Sequence, residues 1–500
     1  MWGKALPYRA PFERSGVSAN RRRSLNRHKR AATNLPDLIE LEYRASSIKD
    51  SKTKIMKNKL FLACSFVAVI AIPSMAQSLD SLIDHDIASL VNTYKMLHAA
   101  PELSHHEEKT AAFVASQLRA LGFTVTERVG KYAAPELTGY GVVGVLKNGA
   151  GPTVLVRTEL DALPVEEKTG LPYASIVKTK NESGQEVGVM HACGHDIHIT
   201  SFLGTAKILV AMKDQWHGTL VMIGQPAEET VTGARAMLAD GLYTRFPKPD
   251  FALALHDSAE VEAGKVTYFP GYAMASSTSV DLIIRGLGGH GARPETTKDP
   301  VVIAAQMVLG LQTIVSRETS ALDPAVITVG SIHGGTKRNI IPDEVTLQLT
   351  IRTYKEEVRQ HILASLERMA KNLALAAGVP EDRAPILKVI ESDGAPSTYN
   401  DPELSERIAA AIGRTIGKDN VIKAQPLMVS EDFSRLSLDQ KIPAFMFWLG
   451  AVEPAKVEAS RKSGQPLPSL HSSAFVPLPE PTLRTGIKSM TAAVLELMKK

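Results

Sequence analysis

Cysteine is almost missing from this 500-residue chain: only Cys64 and Cys193 occur. A disulfide framework is thereby excluded, apart from one bridge between the two. Long uncharged apolar runs are scarce as well. Leu60 to Ile72 is such a run, but its thirteen residues fall short of the roughly 20 needed to cross a bilayer. No later run reaches eighteen, so the part that follows is expected to be soluble. Compositional bias is also lacking. Charged residues make up 22% and apolar residues 44%, which excludes wholesale disorder and collagen-like repetition. There is no solenoid-type repeat. The length suggests roughly two to four domains.

The net charge of +4 hides an uneven distribution. Residues 1–76 hold 15 Lys/Arg and 5 Asp/Glu, a net +10; the remainder holds 42 and 48, a net −6. From Met56 the chain reads MKNKLFLACSFVAVIAIPSMAQ. Lys57 and Lys59 precede the apolar run, and small residues at Ser74 and Ala76 suit cleavage before Gln77. Residues 56–76 are therefore expected to be a signal peptide, and the protein to be periplasmic or secreted. A lipoprotein site at Cys64 fits less well, because few apolar residues precede it; a buried core segment is the other alternative. Upstream, residues 1–55 form a basic extension containing Arg21–Arg30, a cluster that suits nucleic acid or an anionic membrane. We expect translation to start at Met56 instead. The remaining −6 then argues against a nucleic-acid partner.

Downstream, strands are expected at Thr124–Arg128, Val142–Leu146, Thr153–Arg157, Thr219–Ile223 and Phe251–Leu255, with a helix over His198–Met212. Short apolar runs alternating with helices predict a layered α/β domain with a central, mostly parallel sheet. From 275 to 390 the rhythm changes. Strand Val280–Arg285, helix Val301–Arg317, strands Ala325–Ile332 and Val345–Thr353, helix Glu356–Leu375 and strand Ile386–Glu391 give β-α-β-β-α-β. That is the ferredoxin-like pattern, and it predicts an insert between residues 77–274 and 391–500 of the first domain.

Four polar segments fall at the ends of apolar strands: Met190-His-Ala-Cys-Gly-His-Asp-Ile-His198, Gln225-Pro-Ala-Glu-Glu229, Ala254-Leu-His-Asp257 and Leu470-His-Ser-Ser473. Open α/β sheets place sites at such ends. Thiol, imidazole and carboxylate together suit zinc or a similar divalent ion. Cys193 and His195 straddle Gly194, which permits unusual backbone angles. Adjacent carboxylates point in different directions, so of Glu228 and Glu229 one can ligate while the other handles a proton.

These segments, with His98-Ala-Ala-Pro-Glu-Leu-Ser104, Asp161-Ala-Leu-Pro164, Gly288-Gly-His-Gly-Ala292, Asn339-Ile-Ile-Pro342 and Ser430-Glu-Asp-Phe433, run in order along nearly the whole chain after residue 97. The set resembles the aminoacylase/carboxypeptidase family of di-metal amidohydrolases, in the branch of hippurate hydrolases and auxin–amino-acid conjugate hydrolases. The resemblance implies a catalytic α/β domain with an inserted dimerisation domain, hence a homodimer. It implies two divalent ions (zinc or manganese, with cobalt or nickel as alternatives) on Cys193, His195, Glu229, His256 and His471, with Cys193 bridging. Glu228 would be the general base. His290, Asn339 and Arg352 would bind substrate, with His290 reaching a neighbouring subunit's site. The reaction implied is hydrolysis of an N-acyl amino acid or related conjugate to a carboxylic acid and an amino acid. Arg352 suits the free carboxylate of the amino acid, and His290 the developing oxyanion. One position departs: the branch usually has Asp-x-Asp-Ala-Leu-Pro, whereas Glu159 stands first here.

Other readings are weaker. Gly286-Leu-Gly-Gly-His-Gly291 fits G-x-G-x-x-G, but Arg293-Pro294 follows where a helix should begin, and no acid occupies 308–315. A cysteine hydrolase with Cys193 as nucleophile predicts sensitivity to alkylation and indifference to chelators. A non-catalytic metal-binding relative is disfavoured because Glu228 is present.

Overall fold

The computed structural model describes residues 78–181 and 183–500. The expected basic extension and signal peptide lie outside them. The described chain opens with α1 (Leu79–Ala99), whose N-cap Ser78 accepts a hydrogen bond from Ser81 N–H, and α2 (Glu108–Ala120). Strands β1 (Thr124–Val129), β2 (Gly141–Asn148) and β3 (Thr153–Glu159) follow, then α3 (His195–Ala211), β4 (Gly218–Gln225), β5 (Phe251–Glu262) and β6 (Val266–Tyr268). The next segment contributes β7 (Ser276–Arg285), α4 (Pro300–Thr313), β8 (Ala325–Gly334), β9 (Glu344–Thr353), α5 (Glu356–Ala376) and β10 (Ile386–Ala395). Helix α6 (Pro402–Ile416), β11 (Val421–Lys423), β12 (Ala444–Val452) and α7 (Pro479–Met498) complete the main elements.

Eight strands form the main sheet in the order β1-β2-β4-β3-β5-β12-β6-β11. Its centre, β4-β3-β5-β12, is parallel, and antiparallel pairs flank it. Both faces are buried. Val154, Val156, Leu253, Leu255, Phe445 and Phe447 belong to one apolar core, and Leu155, Ala252, Ala254, Met446 and Trp448 to another. Alternate residues of each strand thus feed opposite cores, which is why these strands read as unbroken apolar runs.

The second sheet runs β8-β9-β7-β10 and is antiparallel throughout. Here burial alternates along β7 and β9, because one face carries α4 and α5. That order is the ferredoxin-like one. The last strand extends to Ala395, four residues past the limit its apolar pattern suggests. Helix α4 and the π-helical turn after it, Pro300–Glu318, are long and apolar enough to cross a membrane by length and composition alone. Gln306, Gln312 and Ser316 interrupt its apolar run. Ile303, Met307, Leu311 and Ile314 pack onto the second sheet instead.

One departure has a local cause. Helix α3 starts at His195, three residues before its expected start. It is buried almost all round, so periodicity cannot mark its beginning; Gly194 does, in the left-handed region at φ +74°. His98, at the end of α1, lies between Asp196 Oδ2 at 2.7 Å and Glu167 Oε1 at 3.1 Å. This pins the loop after β3 to the helix that begins with His195.

Against the cost of burial, Asp196 and Glu167 raise His98 from 6.5 to about 9. The proton is held more tightly in the fold than in the unfolded chain. Its contribution to stability is therefore full below pH 6.5 and lost as pH rises through about 9. Urea midpoints of wild type and His98→Gln should differ most near pH about 6 and draw together by about 9.5; a gap constant with pH would contradict this.

Candidate metal centre

Four connections at the C-terminal edge of the parallel strands build the site. Strand β3 ends in Glu159 and is followed by Asp161; after β4 come Glu228 and Glu229. Strand β5 carries His256 and Asp257, and the turn into α3 carries Cys193 and His195. Glycine is required at 194, since a Cβ there would collide with the Asp257 carboxylate on top of the positive φ.

The structure brings all five expected ligands together. Cys193, His195 and His256 form one group whose donor atoms lie within 4.8 Å of one another, and Cys193, Glu229 and His471 form a second. Cys193 is common to both. Its Sγ is 3.5 Å from His256 Nε2 and 3.3 Å from His471 Nε2. His195, Glu228 and Glu229 form a further group. Cys193, His195, His256 and Glu228 are buried, whereas His471 sits exposed at the rim.

Ring orientation is the most informative detail. His195 Nδ1 donates to the Asp161 carbonyl at 2.8 Å, and His256 Nδ1 to the Asp257 carbonyl at 2.7 Å. A carbonyl only accepts, so both Nδ1 atoms carry the hydrogen. In the neutral ring this leaves the Nε2 lone pair facing the cluster. His195 Nε2 and Glu229 Oε1 are buried without a hydrogen-bond partner, 3.8 Å apart. Such orphaned buried atoms carry a desolvation cost that a cation would offset. The donor set therefore fits divalent ions.

The electrostatics agree. Burial and the charges of Glu431 and Glu229 push the Glu228 carboxyl well up. Glu229 rises to about 7, chiefly through burial with Asp161 opposing ionisation. Burial, Glu229 and Glu228 push the Cys193 thiol up as well. Against burial, the Asp161 hydrogen bond and the charges of Glu159 and Glu229 raise His195 to about 10. The cluster is too anionic for its burial, and each group reaches for a proton in place of a cation.

Several participants escape a reading of motifs alone. Arg157, fully buried in β3, pairs with Glu159, with Glu431 Oε1 at 2.6 Å and with Asp432 Oδ1 at 3.0 Å. A lone Arg in an apolar strand was the available signal, since a buried guanidinium requires partners. Glu159 also reaches His198 Nδ1 at 2.9 Å, while Asp257 N–H donates to His198 Nε2 at 2.8 Å. Neighbouring carboxylates, acting against burial, favour a proton on His198 up to about 9. The N–H donation needs a lone pair on Nε2, however, and so selects the neutral ring with Nδ1–H toward Glu159. Glu159 is thereby joined to Asp257, next to His256. Its extra methylene is used to span Arg157 and His198.

The substrate candidates divide. Arg352, on β9, donates to Ser430 Oγ at 2.6 Å, beside Glu431. His290 and Asn339 are exposed on a separate two-stranded ribbon, where Gly291 N–H donates to the Asn339 carbonyl. Neither belongs to the ligand groups of its own chain. A cavity of about 480 Å³ lies where β7 and β10 leave the main domain, lined by Tyr272, Tyr354, Arg359 and Arg435 among others, and it contains none of the ligands.

Comparison with known proteins agrees with this geometry. The profile of peptidase family M20/M25/M40 matches residues 155–463. Thermostable carboxypeptidase 1 of Saccharolobus solfataricus is 34% identical over 79% of this chain and 92% of its own. Hippurate hydrolase of Campylobacter jejuni is 36% identical over 67% of this chain and 82% of its own. The crystal structure of a dinuclear metal-binding peptidase of family M20 from Bacillus subtilis superposes with a TM-score of 0.66 at 27% identity, covering 82% of this chain and 98% of that one. The chain belongs to this peptidase family. It is a metal-dependent enzyme of amide hydrolysis that uses two divalent ions.

Removing Arg157 would leave Glu159, Glu431 and Asp432 without their shared cation. Arg157→Met should lower unfolding free energy by about 3–5 kcal/mol. Arg119→Ala, which breaks an exposed pair with Glu127, should change it by less than about 1 kcal/mol. Equal urea midpoints for the two variants would contradict the assignment.

Proposed function

We propose that the enzyme hydrolyses N-acyl amino acids or related small conjugates, with Glu228 as general base and Cys193, His195, Glu229, His256 and His471 as ligands of the two ions. The observation that carries this reading is the pair of imidazoles whose Nδ1 atoms are tied to carbonyls while their Nε2 atoms meet at Cys193 and Glu229. Cys193, common to two donor groups, would help to hold both ions. Zinc or manganese is our choice for a site of thiolate, imidazole and carboxylate.

Bound there, the ions would supply Lewis acidity, polarising the scissile carbonyl and lowering the pKa of water toward neutrality. Glu228 takes the proton of the attacking water. Glu228, buried in one donor group with His195 and Glu229, is placed to accept it. As the C–N bond breaks, Glu228 returns the proton to the departing nitrogen. A carboxylic acid and an amine leave. Arg352 would orient the carboxylate of the amino-acid portion, and His290 and Asn339 would serve the substrate from the two-stranded ribbon.

We further propose a homodimer in which His290 serves the partner's site. In support, β8 is an edge strand of its sheet, and Val326, Ile332, Val301, Val302 and Leu309 are exposed on it and on α4. We also propose export to the periplasm, on the strength of the apolar run Leu60–Ile72 and the small residues before Gln77. A secreted form beginning at Gln77 supports that; one retaining Met56 opposes it.

The test is hydrolysis of a panel of N-acyl amino acids by wild type and Glu228→Ala, with and without chelator, on protein whose sedimentation is recorded. Glu228→Ala should lower kcat roughly 10²- to 10⁴-fold. Chelation should abolish turnover and added metal restore it, and the protein should sediment as a dimer. Turnover that survives both the mutation and the chelator contradicts the mechanism. A monomer contradicts the shared site.

A further inference from the structure

The turn that presents Glu228 and Glu229 is strained. Ala227 has φ +49° and Val231 φ +58°, both in the region that suits glycine, and valine is poorly adapted to it. Ala227 forms the pivot. Its carbonyl accepts from Thr232 and Gly233 N–H, and Val231 N–H closes onto the Glu228 carbonyl at 2.6 Å. Something must keep Ala227 in this conformation.

Glu107 is placed to do so. It is the N-cap of α2, yet its side chain does not cap that helix. It turns away, fully buried, and Oε1 accepts from Ala227 N–H at 2.7 Å and from His105 N–H at 2.9 Å. His105 is itself left-handed, at φ +67°. On the other side of Glu228, Asp161 Oδ2 accepts from Glu229 N–H at 3.0 Å and from Ser104 Oγ at 2.6 Å. The Glu228 backbone is therefore held at two points, one residue before it by Glu107 and one after by Asp161, which Ser104 holds in turn.

We propose that Glu107 is a positioning residue: by holding Ala227 N–H it keeps the left-handed pivot that aims Glu228 at the reacting water while Glu229 faces the ions. The proposal rests on Glu228 being the base. It requires an acceptor at Oε1, not a charge. Burial and the charge of Asp161 push the Glu107 carboxyl up to about 8, so glutamine is a close stand-in for it.

The experiment compares Glu107→Ala, Glu107→Gln, Glu107→Ala with Ala227→Gly, and Glu228→Ala, reading kcat, KM and bound metal per chain. Glu107→Ala orphans two buried donors and should lower kcat roughly 10- to 100-fold, with KM within about twofold. Metal should remain at two ions per chain, because Asp161 still holds Glu229. Glu107→Gln should keep kcat within about threefold, since its amide oxygen still accepts. Ala227→Gly should recover part of the loss, because glycine adopts the pivot without strain. Unchanged kcat in Glu107→Ala, a loss in Glu107→Gln equal to that in Glu107→Ala, or no recovery with Ala227→Gly overturns the proposal. If Glu107→Ala does not fold, Glu107→Gln decides alone: retained kcat supports the clamp and a large loss overturns it. An active Glu228→Ala separates the two ideas, sinking the general-base reading while the clamp is still judged by Glu107→Ala and its recovery.

Discussion

Seven carboxylates converge at one edge of the main sheet: Glu159, Asp161, Glu228, Glu229, Asp257, Glu431 and Asp432. Most are fully buried. One buried guanidinium, Arg157, answers three of them. The remaining negative charge is the constraint on which the site depends. Buried anions are tolerated only when paired, and the hydrogen bonds of Arg157 go to Gln225, Glu159, Glu431 and Asp432, none of them a proposed ligand. The imbalance raises the pKa of Glu228, Glu229 and Cys193 together. Divalent ions resolve it, and the chemistry follows from that resolution.

The architecture places the donors with little slack. The parallel centre of the main sheet brings β3, β4 and β5 to one edge, so residues nearly a hundred positions apart share one cluster. Tautomers are fixed by backbone carbonyls, which cannot reverse their role. Positive φ angles at Ala227, Val231 and His471 lie at this edge and not in the inserted sheet. Strain of this kind persists where the surroundings hold it, as the Glu107 and Asp161 contacts do for the Glu228 turn.

Much of this was legible in the sequence. Apolar runs located the central strands because both of their faces are buried, and alternation located the inserted strands because only one face is covered. The ligand segments stood out because thiol, imidazole and carboxylate cluster where apolar runs end. What stayed hidden depends on contacts between distant segments. Nothing near Arg157 in sequence points to Glu431, 274 positions on. Glu107 looks like an ordinary first-turn acid of α2 until the fold brings Ala227 against it. Glu159 departs from the usual aspartate, and only the fold shows its longer side chain reaching both Arg157 and His198. The start of α3 was obscured because a helix buried on all sides has no periodic stripe.

The central claim is that this cluster holds two divalent ions and that Cys193 ligates them. Titrating metal-free protein with cobalt(II), followed by absorbance, tests it most directly. The account predicts saturation at two equivalents per chain and a sulfur-to-cobalt charge-transfer band, which Cys193→Ser removes. Saturation at one equivalent or fewer, or spectra identical with and without the thiol, would contradict it.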